Sequence, residues 1–115
     1  MKTIIVGSRG VTDVAELQQA IDDSGFEISE VVAGGVRGTE ALGKAWAETN
    51  DVPLKHFASD WEKHGQMGGA VVRNRQMTDY AEAVVVISDG KSNRTQSIID
   101  YAKSKGLRVH VRRIR

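Results

Sequence analysis

The sequence predicts an α/β domain of three layers: a five-stranded parallel sheet in the order 3-2-1-4-5 with helices on both faces. Three observations carry this. Apolar runs alternate with segments of helical periodicity along the whole chain, the pattern of repeated strand–helix units. Three of the runs, Ile4-Ile5-Val6, Val31-Val32-Ala33 and Ala83-Val84-Val85-Val86-Ile87, are continuous, as strands covered on both faces must be. The other two, Leu54-Lys55-His56-Phe57 and Arg108-Val109-His110-Val111-Arg112, alternate with charge, which suits edge strands. With right-handed crossovers, two edges and three central strands give the stated order.

Strands are predicted over 2–8, 29–34, 54–58, 83–88 and 108–114, and helices over 13–24, 39–50, 69–81 and 94–105. Asp13 and Glu16 form a capping box for the first helix, whose buried stripe is Val14, Leu17 and Ile21, and Ser24-Gly25 stops it. The second helix buries Leu42, Ala45, Trp46 and Thr49. About ten residues separate the third strand from the third helix, long for such a connection. They include Asp60-Trp61, His64-Gly65 and Gly68-Gly69. On that helix Arg73 and Met77 share a face, so Arg73 sits near a buried stripe and needs an anionic partner, either a ligand or Asp89. Val71, Val72 and Tyr80 are open to two uses, an interface or packing on the domain's own sheet. Ser92, Asn93 and Thr95 are all able to cap the fourth helix, and Lys105-Gly106 ends it.

Composition narrows the function. The chain has 115 residues, 40% hydrophobic and 27% charged, which fits one domain over residues 1–115 with a real core. It has no cysteine, which excludes disulfides, thiolate metal sites and a cysteine nucleophile, and predicts a cytoplasmic setting. No run approaches a membrane span, and the apolar part of the N-terminus is too short for a signal peptide. His56, His64 and His110 lack ligand spacing, so no metal is expected, and no cofactor either. A net charge of +1 gives no whole-molecule attraction to nucleic acid. Arg108, Arg112, Arg113 and Arg115 on the last strand read as a solvated edge far from any site, since a nucleic-acid patch calls for interleaved aromatics. Ser8 follows a strand, but apart from His64 no histidine is placed to activate it.

What remains points to phosphate. In the predicted strand order the topological switch falls between strands 1 and 4, and ligands of such sheets bind outside the carboxyl ends there. Three chain segments converge on that edge: Gly7-Ser8-Arg9-Gly10, Gly34-Gly35-Val36-Arg37-Gly38-Thr39 and Ser88-Asp89-Gly90-Lys91-Ser92-Asn93-Arg94-Thr95. Glycines let the backbone approach an anion, and the first turn of a helix offers it free N–H groups. Neither turn fits a standard fingerprint. A dinucleotide loop would need glycine at Ala33, and a Walker A loop ending at Gly90-Lys91-Ser92 would need glycine at Val85. Lys91 and Arg94 at a helix start are unfavourable unless an anion is bound, which argues for one.

Taken together, these segments resemble the SLOG superfamily, the Rossmann-like group that includes the LOG phosphoribohydrolases and the DprA-type proteins, and within it the small YspA-like branch. The matching residues are Gly34-Gly35-x-Arg37-Gly38, Ala41-Leu42, Trp46-Ala47, Asp60-Trp61, Gly65, Gly69, Arg73-Asn74-Arg75 through Met77, Asp89-Gly90-Lys91-Ser92 and Arg94-Thr95, within roughly 2–112. The resemblance implies a pocket for a nucleotide or nucleotide derivative at the carboxyl edge, and a tendency to assemble as a homo-oligomer. In the LOG enzymes an arginine on the helix before strand 4 and a glutamate beyond the following Gly-Thr turn cleave a base–ribose bond. Arg73 stands at the arginine position and Arg94-Thr95 at the Gly-Thr position, but the glutamate, due near Ile98, is missing.

Two expectations follow. In the first, the protein binds a phosphorylated nucleotide derivative, ADP-ribose-like or cyclic, as a sensor or sequestering protein. Gly34, Gly35, Gly38 and Thr39 cradle phosphate, Arg37, Arg73 and Arg94 supply charge, and Trp61 flanks the base or ribose. Gly7, Ser8, Arg9, Asp60, Asn74, Asp89, Gly90, Ser92 and Thr95 complete the lining. In the second, the protein is a hydrolase of an N-glycosidic bond, with Arg73 stabilising phosphate or ribose and Asp89, Asp60 or Glu40 as the acid.

Overall fold

In a computed structural model of the chain, which describes residues 1–7, 13–33, 39–57, 75–88 and 93–113, five strands form one parallel sheet. They are β1 (Lys2–Gly7), β2 (Glu30–Ala33), β3 (Leu54–His56), β4 (Ala83–Ser88) and β5 (Arg108–Arg113). Their order is β3-β2-β1-β4-β5, with every neighbouring pair parallel, as the sequence predicts. The helices are α1 (Val14–Ser24), α2 (Thr39–Thr49), α3, helical over the described residues 75–80, and α4 (Asn93–Ser104).

The alternation of side chains along the strands divides the core between the two faces. Ile4, Val6, Val32, Val84 and Val86 meet Met77 of α3 and Ile98, Ile99 and Ala102 of α4. Ile5, Val31, Val85 and Ile87 meet Leu17, Ala20 and Ile21 of α1 and Ala47 of α2. All of β4 is buried, which explains its unbroken apolar sequence. At the two edges β3 and β5 carry exposed Lys55, His56, Arg108 and Arg113.

Several local expectations need correction. Asp13 caps α1, its carboxylate accepting from the Ala15 N–H at 2.9 Å. The other half of the box is diverted, because Glu16 Oε2 accepts from Arg112 Nε at 2.7 Å. Arg112 Nη1 also reaches Asp23 at 3.5 Å. The basic last strand is therefore not wholly a solvated edge: Arg112 is half-buried and ties β5 to α1. Val14 is 56% exposed instead of buried. As the first helical residue it precedes the turn that meets the sheet, and the true stripe is Leu17, Ala20 and Ile21.

On α2 the buried line runs through Gly43 and Ala47, with Leu42 and Trp46 half-buried beside it, while Ala45 and Thr49 are exposed. The line is rotated because Gly43 lets the helix close on the sheet: a Cβ there would lie 3.2 Å from both Cβ and Cγ2 of Ile5. A glycine inside a helical pattern is the sequence signal for such an approach.

The helix ends differ in quality. Gly25 and Gly106 adopt left-handed φ values of 69° and 81°, as their stop signals predict. At the end of α4, Leu107 N donates to Ala102 O and Gly106 N to Lys103 O, a Schellman closure. The same pair of bonds ends α2, Val52 N to Ala47 O and Asp51 N to Glu48 O, but the left-handed residue is Asp51, at φ 53°. A side chain there carries a steric cost that glycine avoids. Asp51→Gly is expected to stabilise the protein by about 0.5–1 kcal/mol, raising Tm by a few degrees in a circular-dichroism melt.

Tyr80 packs on the domain's own core. Its ring stands edge-on to Phe57, centroids 5.6 Å apart, and its hydroxyl donates to Glu30 Oε1. That hydrogen bond to a carboxylate, with some desolvation, raises the phenol above its ordinary pKa of 10.0. A raised folded-state pKa favours the native protein fully below pH 10.0 and loses that support as the pH climbs through the folded value. Tyr80→Phe should therefore melt below wild type at pH 8, and the gap should narrow as the pH passes 10.0.

Candidate functional site

In a parallel sheet each helix that follows a strand starts at the carboxyl edge. Three helix N-termini consequently face the same way here: α1, α2 and α4. At α1 the Asp13 carboxylate accepts from the Ala15 N–H, so it competes there with any external anion. The helices α2 and α4 begin at Thr39 and Asn93.

Those two starts lie on either side of β1. Gly7, half-buried at the end of β1, pairs with Ile87 of β4, so the chain leaves both strands side by side at Gly7 and Ser88. On the other flank β2 pairs with β1 through Ile4 and Val32 and ends at Ala33, which the glycine-rich segment follows in the sequence. With adjacent strands roughly 4.8 Å apart, β2 and β4 run roughly 10 Å apart on either side of β1. The reversal in strand order falls between β1 and β4, as the sequence predicts.

The predicted site residues divide accordingly. Gly7 ends β1, Thr39 and Glu40 open α2, and Arg94 and Thr95 lie in the first turn of α4, so the fold brings all five to one edge. Ser8, Arg9, Gly34, Gly35, Arg37, Gly38, Asp60, Trp61, Arg73, Asn74, Asp89, Gly90 and Ser92 lie outside the described residues. Met77, the reference point for Arg73, is 1% exposed in the core beneath α3, so its face of the helix is the one turned to the sheet. Ile98, near which the LOG glutamate would fall, is 4% exposed and packed in the same cluster.

Residues 1–64 match the family model described as YspA, cpYpsA-related SLOG family. The chain belongs to that family. The match covers β1 to β3, the glycine turn and Asp60-Trp61, a shorter stretch than the 2–112 over which the motifs can be followed. No curated protein and no solved structure matches the chain. Membership in this SLOG family suggests a nucleotide-related ligand-binding role. Among the described residues no helix is long and apolar enough to cross a membrane, and no group of His, Asp or Glu is placed to hold a metal ion.

Sequence reasoning missed two features of this edge. The first is the tie between β5 and α1, where Arg112 meets Glu16 and Asp23. Arg112 adds no free charge there, because those carboxylates hold it. No sequence signal marks that pairing, which joins residues 96 and 89 apart. The second is Phe57, read only as the end of an edge strand. Its N–H donates to Ala33 O at 2.8 Å, which sets its backbone beside the last residue of β2.

Proposed function

We propose that this protein binds a phosphorylated nucleotide or nucleotide-derived small molecule, ADP-ribose-like or cyclic, at the carboxyl edge of the sheet, as a sensor or sequestering protein. The observation that carries this reading is the placement of the α2 and α4 starts, at Thr39 and Asn93, on either side of β1 at the edge where the strand order reverses, directly after glycine- and arginine-rich segments of the sequence. In this reading Gly34, Gly35, Gly38 and Thr39 cradle phosphate, and Arg37, Arg73 and Arg94 neutralise it. Trp61 flanks the base or ribose, and the protein works as a cytoplasmic homo-oligomer.

Binding is favoured over hydrolysis because the position near which LOG enzymes carry their glutamate is a buried isoleucine, which offers no acid to an oxocarbenium ion. Arginines and backbone N–H groups hold phosphate without it. The test incubates the protein with a panel of nucleotides, measuring Tm and analysing the mixture for free base. A compound that raises Tm and is recovered intact supports binding. Release of free base, lost in Asp89→Asn or Glu40→Gln, supports hydrolysis instead.

A further inference from the structure

We infer that the outer edge of β5 pairs antiparallel with β5 of a second copy of this chain, joining two sheets about a two-fold axis at Val111. The inference rests on the homo-oligomer proposed above, to which it gives an interface, and is independent of the ligand. The sheet ends in β3 on one side and β5 on the other. β3 has only three residues. β5 has six, Arg108–Arg113, with no proline or glycine to spoil pairing. An edge of that length is a template for another strand.

The backbone shows which groups lack a partner. The Arg108 N–H donates inward to Glu82 O at 3.3 Å. Successive residues of a strand turn their N–H and C=O groups to opposite sides. Arg108, His110 and Arg112 therefore turn theirs toward β4, and Val109, Val111 and Arg113 turn theirs outward. Among the described residues no hydrogen bond reaches those outward groups. The side chains keep the same alternation. Arg112 meets Glu16 on the α1 side, and Val109 packs against the cluster on the α4 side. Val111 is also on the α4 side and is 36% exposed, the one exposed large apolar side chain of the sheet among the described residues.

An antiparallel partner must match the alternation of both backbone and side chains. A two-fold axis at Val111 does so and uses every outward residue of both copies. Val111 exchanges hydrogen bonds with its own mate, and Val109 exchanges them with Arg113. The two Val111 side chains then cover each other, and the apolar stem of Arg113 lies over Val109 across the axis. Centring the axis on His110 instead sets Arg108 opposite Arg112, like charge against like, and leaves Arg113 without a partner on β5. Charge on an edge strand ordinarily blocks such pairing. Here the Arg112 charge is already met by Glu16 at 2.7 Å and Asp23 at 3.5 Å, and Arg108 falls outside the paired residues. The exposed valine stands at the middle of the outward triplet, so the edge is complementary to itself. That symmetry selects a second copy over an unrelated segment.

The test measures mass by sedimentation equilibrium over a concentration series for wild type and Val111→Lys, which sets two ammonium groups together on the axis. Wild type should dimerise, and Val111→Lys should raise the dimer dissociation constant by about tenfold or more. Cross-linking then reads the register, since the chain has no cysteine of its own. Under mild oxidation Val111→Cys should form a disulfide-linked dimer, because residues that exchange hydrogen bonds on facing strands lie about 5.5 Å apart, within disulfide reach. Arg113→Cys should not, because its mate lies several residues away along the facing strand. If Val111→Lys fails to fold by circular dichroism, the two cysteine variants decide alone. If wild type is a dimer and Val111→Lys is unaffected, or if Arg113→Cys links as readily as Val111→Cys, the β5 interface is overturned while the homo-oligomer stands. If Val111→Cys forms no link, this pairing is likewise overturned. If wild type is a monomer throughout, the interface and the homo-oligomer fall together, and the ligand reading is untouched.

Discussion

Gly43→Val is expected to destabilise the protein by about 2–3 kcal/mol, lowering Tm by roughly 10 °C. The first atom of any side chain at this position falls 3.2 Å from Ile5 Cβ and Cγ2. Ile5 is fully buried and lies on the central strand of the sheet, so it has little room to give way. An alanine would add one carbon in close contact but recover about 1 kcal/mol of helix propensity, so the two effects offset. Valine adds two further methyl groups in the same space, and its branched side chain recovers less propensity. The helix must then lift from the sheet. Thr39, the first residue of α2, lies about one turn away, so the free N–H groups proposed to hold phosphate move with it. The variant should therefore show a lower Tm in a melt followed by circular dichroism and also a smaller thermal shift from any nucleotide that stabilises wild type. A Tm unchanged within a degree would show that α2 does not depend on this close approach.

The contrast between what the sequence revealed and what it concealed has a physical basis. Continuous apolar strands and charged edges are direct consequences of burial on two faces or one, so the order of all five strands could be reasoned from composition along each run. Stops at Gly25 and Gly106 were equally legible, since left-handed backbone selects glycine. The stop at Asp51 was not, because aspartate there is tolerated instead of required. The faces of α1 and α2 were each partly misjudged. Periodicity gives the spacing of a buried stripe, but its rotation depends on which residue allows closest approach, as Gly43 does on α2. The bond from Arg112 to Glu16 was invisible for another reason: two charges far apart in sequence carry no mark of being neighbours. For the candidate site, the edge itself was legible from strand order. The place of Phe57 beside Ala33 was not, because it depends on a hydrogen bond between two strands.

Arg73→Ala is expected to weaken the binding of a stabilising nucleotide by roughly 10–100-fold, the loss that follows when a charge-assisted hydrogen-bonding partner is removed from an anion. The argument begins from Met77, 1% exposed beneath α3. The sequence predicts a helix over 69–81, and in such a helix the position four residues back shares the face of Met77, which would turn Arg73 toward the sheet and its carboxyl edge. Such an arginine needs an anion, because a guanidinium without a partner near the core carries a desolvation cost. Arg73→Lys should recover only part of the affinity, since an ammonium cannot offer the two parallel N–H groups that a guanidinium presents to phosphate. Raising the salt concentration should reduce the gap between wild type and Arg73→Ala, as expected for a contact dominated by charge. Both readings of the edge depend on this residue: a binding protein would lose its thermal shift, and a hydrolase would lose its release of base. A variant that matches wild type in both measurements would mean that the anion site lies elsewhere on the molecule.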